Sequence, residues 1–372
     1  MSSIEYQILL AVSDIEPGRE QQQKLQGLAE RHFDGERLVE MAVREGVAGL
    51  LYKNLKKIGI LGYFAHGQIE KLQSFYYSAA RLNLRLLHDL KEILREFSQT
   101  KTSVILIQGI PLLQQIYRDI GLRPLTDIDM WVLPRHFAAV ERALADLGYQ
   151  NKPFYPKTFK KESTLVDVNT HILWADRIKS RRFLITGSQE DIYRDCIFMN
   201  IEGETAQCLS RVDQIIYLSL HAFKHNLDRL IWLVDIKNLL VGWESSDWQS
   251  LAKRSKELGI EHIVSYILFY LDHLFEFQLP QKARAIYEHT EINYLERHIL
   301  QKRLMGKPLP MWGPLILLPL HKSLYRRASF ILENLFPRPQ ILRQIFAKPT
   351  DFSSWQLYLK RARQLFTYTR NN

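Results

Sequence analysis

Residues 104–132 read VILIQGIPLLQQIYRDIGLRPLTDIDMWV. The order is a short β-branched run, a glycine turn, an apolar helical pattern opened by Pro111 and closed by Gly121, a loop, and a second strand opening on Asp127 and Asp129. Side chains two apart on a strand point to the same face, so both carboxylates address one point in space. Like charges held together repel unless a cation lies between them. A hard divalent ion with oxygen ligands is the natural occupant.

Working outward, RHFAAVERALADLGY (135–149) has a helical pattern ended by Gly148, and a looser basic segment follows at 151–163. The alternation in TLVDVNTHILW (164–174) predicts a third strand, with Asp167, Asn169 and His171 on one face and Val166, Val168, Thr170 and Ile172 on the other. Two acids on one strand and a third about 40 residues on, on a neighbouring strand, give the spacing that two-metal phosphoryl transfer needs. Residues 101–208 thus read as an α/β core with a mixed sheet. Residues 1–100 read as helical throughout, with Leu82, Leu84, Leu86, Leu87, Leu90, Ile93, Leu94 and Phe97 forming a broad stripe. A Ser210 cap opens a helical stretch covering 209–300, and 301–372 reads as basic helices broken by Pro337, Pro339 and Pro349.

Composition narrows the class. Two cysteines, Cys196 and Cys208, exclude a disulfide framework and a Cys-rich metal site and suit a reducing cytoplasm. The N-terminus lacks a basic, then apolar, leader pattern, and no apolar run approaches the roughly 18–20 residues that span a bilayer. The net charge of +10 is uneven: residues 301–372 hold 13 Lys/Arg against Glu333 and Asp351, a local +11, so residues 1–300 sum to −1. Such a basic region reads either as a contact for an anionic partner or as solvated helices.

Gly109-Ile-Pro-Leu-Leu, Tyr117, Arg123-Pro-Leu-Thr-Asp127-Ile-Asp129-Met-Trp-Val, Leu147-Gly148-Tyr149 and Val166-Asp167-Val-Asn-Thr-His171 together resemble the DNA polymerase beta superfamily of nucleotidyltransferases. Within it, the pattern is similar to the bacterial uncharacterised nucleotidyltransferase family, in which a helical N-terminal region precedes the core. The later helical signature of that family falls on His221, Lys224, His225, Arg229, Leu230, Trp232 and Asp235. The similarity covers about residues 20–345. It departs at Gln108, where the family usually has lysine, and at Asn169, where a histidine often stands.

The resemblance implies an α+β fold, a small palm-like mixed-sheet core between helical regions. It implies transfer of NMP from an NTP to a hydroxyl or phosphate acceptor, with Mg²⁺ or Mn²⁺ held by Asp127, Asp129 and Asp167. Asp167 would also help deprotonate the acceptor, and Gly109 would admit the triphosphate close to the backbone. Arg123 reads either as a phosphate clamp or as a structural partner of one of the site's own acids. Lys224 and His225 would reach the nucleotide from the helical lobe, while His221 and His225, at i and i+4 with no third ligand in sight, read as site-lining rather than zinc-binding. Small molecule, peptide, saccharide, protein and RNA all stay open as acceptor. Gln108 and Asn169 motivate one alternative, a catalytically weak relative that binds nucleotide or an anionic partner as a scaffold.

Overall fold

The computed structural model describes residues 3–152, 155–288, 292–309, 313–346 and 352–370. Five helices, α1 (Ile4–Ala11), α2 (Arg19–Ala29), α3 (Gly35–Arg44), α4 (Ala48–Lys57) and α5 (His66–Gln99), precede the first strand. In α5 the buried stripe runs through Leu86, Leu87, Leu90, Ile93, Leu94 and Phe97, but Leu84 is 60% exposed. The apolar face is therefore narrower than the leucine content suggests.

The sheet has seven strands in the order β3-β4-β5-β2-β1-β7-β6. They are β1 (Ile105–Leu106), β2 (Ile128–Trp131), β3 (Gln150–Lys152), β4 (Tyr155–Lys161), β5 (Thr164–Asn169), β6 (Ile197–Ile201) and β7 (Glu204–Cys208). β2 pairs antiparallel with β1 and parallel with β5. The mixed α+β architecture expected from the sequence is present.

Three local expectations need correction. The helix after Gly109, α6 (Gly109–Gln115), stops well short of Gly121, because fully buried Tyr117 turns inward to donate to Asp235 Oδ1 at 2.7 Å. The basic segment is not loose where it is described: its residues form the antiparallel pair β3 and β4 at the sheet edge, where Phe159 is buried beside Phe137 and paired to Val166. β5 ends at Asn169, since Asp176 accepts from the Thr170 amide (3.0 Å) and hydroxyl (2.7 Å) and turns the chain. His171 therefore leaves the face of Asp167 and Asn169, and its Nδ1 accepts from the Leu173 amide at 3.1 Å. The β6–β7 hairpin was not anticipated from the sequence. Its inner strand β7 pairs parallel with β1.

Helices α7 (Phe137–Asp146) and α8 (Gln189–Arg194) cover the sheet, and α9 (Arg211–Lys224) starts at Ser210, whose hydroxyl accepts from the Asp213 amide. Asn226 and Leu227, with φ of +55° and +48°, break the chain before α10 (Ile231–Leu239). Further helices follow: α11 (Ser245–Leu258), α12 (Glu261–Phe275), α13 (Gln281–Glu288), α14 (Tyr294–Leu304), α15 (Leu324–Leu335), α16 (Pro339–Phe346) and α17 (Ser354–Arg370). Pro337 stands between α15 and α16 and Pro339 opens α16, so both mark the break as expected, while Pro349 lies outside the described residues. No helix among the described residues is long and apolar enough to cross a membrane.

Not all the C-terminal charge faces solvent. Arg303 is fully buried and pairs with Glu45 at 2.6 Å, and Glu45 also accepts from the Leu230 amide at 2.8 Å. This pair ties α14 to α3. Removing one partner of a buried ion pair strands the other. Glu45→Ala is thus expected to cost about 3–5 kcal/mol in denaturant unfolding, whereas breaking the exposed Arg135–Glu190 pair costs less than about 1 kcal/mol.

Candidate active site

The site begins with register. Asp129 of β2 stands directly opposite Asp167 of β5 in a parallel pair. Neighbouring strands lie about 4.8 Å apart, so side chains on the same face at this rung are immediate neighbours. Along β5 burial alternates strictly: Thr164, Val166 and Val168 face the core, and Leu165, Asp167 and Asn169 face outward. Asp127, two residues before Asp129, adds the third carboxylate.

The electrostatics follow from that crowding. Burial, then the charges of Asp127 and Asp167, push the Asp129 carboxyl well above the usual carboxylate range. Asp127 is also raised, by burial first and then by Asp167, against a hydrogen bond from Thr126 Oγ at 2.9 Å. Asp167 Oδ1 accepts from Thr158 Oγ at 2.9 Å. Asp129 makes no side-chain hydrogen bond or ion pair among the described residues. Each acid keeps oxygen lone pairs for a ligand.

Among the described residues no three His, Cys, Asp or Glu side chains stand in the geometry of a formed metal cage. The donor set nonetheless fits a hard divalent ion. All three groups are carboxylates, two are neighbours across the sheet, and burial together with the crowding of Asp127 and Asp167 raises Asp129, which a bound cation would relieve.

Cations stand on one side of this cluster. Lys224, at the end of α9, holds Nζ 4.1 Å from the Trp174 ring centre. Burial and Arg181 lower its pKa to about 7, with Asp129 and Asp167 pulling the other way. Arg181 is buried and has no ion pair among the described residues, and burial together with Arg177 lowers it to about 10. A buried guanidinium without a carboxylate is an unmet demand for an anion. Trp174 holds its backbone at φ +57° and packs on Tyr217 (5.3 Å) and His221 (5.7 Å). The Tyr217 hydroxyl, both ring nitrogens of His221 and the Asn169 amide nitrogen are buried without hydrogen-bond partners.

Three sequence expectations change here. Arg123 is no phosphate clamp: it is buried, and Nε (3.2 Å) and Nη2 (2.8 Å) engage Asp235, so its charge is spent on a structural pair. Gly109 is buried, and a Cβ there would lie 2.4 Å from Leu125 Cδ2, so packing alone accounts for the glycine. His225 caps α9 rather than continuing it, stacks on Trp232 at 5.8 Å, and is lowered to about 3 by burial and then Lys224. It is a neutral ring beside the site rather than a charged nucleotide contact. Lys224, by contrast, feels the charges of Asp129 and Asp167. Arg177, Arg181 and Trp174 were missed, although the basic run in RIKSRRF (177–183) was a usable signal.

A family model described as an uncharacterised nucleotidyltransferase matches residues 31–276. No curated protein and no solved structure matches.

The crowding itself is testable without turnover. An acid whose pKa rises on folding weakens the fold as pH climbs from its unfolded value, near 4, toward the raised folded value. In chelator at pH 7–8, Asp129→Asn should therefore raise the unfolding midpoint by calorimetry, and the gain should vanish near pH 4.

Proposed function

The chain belongs to the uncharacterised nucleotidyltransferase family, and we propose that it transfers an NMP unit from an NTP to a hydroxyl acceptor at Asp127, Asp129 and Asp167. The observation that carries this reading is the in-register Asp129–Asp167 pair with Asp127 on the same face. Asp127, Asp129 and Asp167 would hold Mg²⁺ or Mn²⁺, which when bound neutralises charge developing on the phosphates. Every other part of the work falls to the chain's own groups.

Lys224, Arg181 and Arg177 form the cationic side of the site and take the triphosphate, supplying the anion that the unpaired Arg181 lacks. Asp167 accepts the proton from the acceptor hydroxyl. The acceptor oxygen bonds to the α-phosphorus as the bond to the bridging oxygen breaks, and pyrophosphate leaves with that electron pair. The Arg123–Asp235 pair, with Tyr117 on Asp235 Oδ1, fixes the loop that carries Asp127. It positions and does not react.

Pyrophosphate release from the four NTPs, with Mg²⁺ or Mn²⁺ and a mixture of small metabolites and RNA as acceptor, tests the proposal. Wild type is expected to release pyrophosphate, Asp127→Ala/Asp129→Ala to fall to background, and Asp167→Asn to lose about 10²–10⁴-fold in kcat. Arg181→Gln should raise KM for the NTP about tenfold with kcat little changed. Tight NTP binding with wild type as silent as the double variant would favour the scaffold reading instead.

A further inference from the structure

Two of the three carboxylates also border a cavity. It has a volume of about 810 Å³ and is lined by Asp127 and Asp167 but not by Asp129. That volume falls within the range of small-ligand sites. Its floor is β4 and β5, and its opposite wall is α16.

The wall is fastened on three points. Tyr155 Oη donates to the Gln344 carbonyl at 3.1 Å, Arg338 Nη2 donates to the Asp176 carbonyl at 2.6 Å, and Glu333 accepts from the Ser180 amide (2.7 Å) and hydroxyl (2.8 Å). The C-terminal helices are therefore docked against the catalytic strands. Part of their charge is turned inward, since Arg343 lines the cavity.

The cavity's charges are unequal in their commitments. Lys157 is taken by Asp176 at 2.8 Å. Arg177, which takes the triphosphate, borders the same space, whereas Lys152 and Arg343 line it with no acidic partner among the described residues. The Asn169 amide nitrogen, at the end of the Asp167 face, is a buried donor without an acceptor. Asp127 and Asp167 thus line one part of the cavity, and two uncommitted cations and an idle donor line another. Such a lining suits a molecule that brings a hydroxyl to Asp167 and an anionic group to the cations.

We infer that this cavity is the acceptor site, and that the acceptor is a small hydroxyl compound carrying an anionic group such as a phosphomonoester. The inference rests on the nucleotidyl-transfer reading and names the class of its second substrate. It also gives the basic C-terminal region a role as one wall of the active site. A cavity of this volume walled on one side by α16 favours a small molecule over a polymer end.

The test is saturation-transfer NMR with glycerol 3-phosphate and glycerol, on full-length protein carrying Mg²⁺ and a non-hydrolysable ATP analogue. Glycerol 3-phosphate should bind at least about tenfold more tightly than glycerol. Arg343→Gln and Lys152→Gln should each remove most of that preference while leaving affinity for the ATP analogue unchanged. Equal binding of the two probes, or a preference that survives both substitutions, would overturn the inference. So would a short oligoribonucleotide that binds more tightly than glycerol 3-phosphate and loses affinity in Arg343→Gln, which would make the acceptor a polymer. Failure of the ATP analogue, and of the corresponding GTP, CTP and UTP analogues, to bind at all would instead strike the underlying reading.

Discussion

Asp129 and Asp167 face each other across two parallel strands, and no pairing of core residues asks for that. Two ionised carboxylates at one rung repel, and a third at Asp127 adds to the penalty. The rest of the fold holds this unfavourable arrangement in place. Ile128, Met130, Val166 and Val168, the residues between the acids on the opposite face, are essentially fully buried and lock the register. A slip of one residue would move every acid into the core and every apolar residue into the site. The register is thus fixed by burial, and burial on one face sets the chemistry on the other.

The same logic explains the loop that leads into β2. Arg123 carries a charge into the interior, where Asp235 meets it with three contacts between 2.8 and 3.2 Å and Tyr117 meets Asp235 at 2.7 Å. Asn83 of α5 adds amide hydrogen bonds to the carbonyls of Ile120 (2.7 Å) and Arg123 (2.8 Å). The loop is therefore gripped by the N-terminal helices on one side and α10 on the other. Gly109 belongs to this grip, because its missing side chain makes room for Leu125. Arg-Pro-x-x-Asp-Ile-Asp reads in this structure as a structural clamp followed by a functional pair.

Much of this was legible in the chain. The Asp127–Asp129 pair, the β5 alternation and the Ser210 cap follow from the period of 2 and from capping chemistry, which are local rules. The failures are non-local. The β3–β4 hairpin lacks a clean alternation and depends on pairing with β5, and α6 ends early because Tyr117 finds Asp235 118 residues away in sequence. His171 departs from its strand because Asp176 captures Thr170 from a turn that the alternation could not reveal. Arg123 carries the same lesson: phosphate and a buried carboxylate attract a guanidinium equally well, and only the fold shows which one is present.

The proposed use of the carboxylates is most directly tested by binding of the ion itself. Electron paramagnetic resonance of Mn²⁺ titrated into the nucleotide-free protein reports uptake without any need for the acceptor. Wild type should take up Mn²⁺, with Asp129→Asn and Asp167→Asn each losing most of that uptake while remaining folded. No uptake by wild type, or uptake untouched by both substitutions, would contradict an ion site at the Asp129–Asp167 rung.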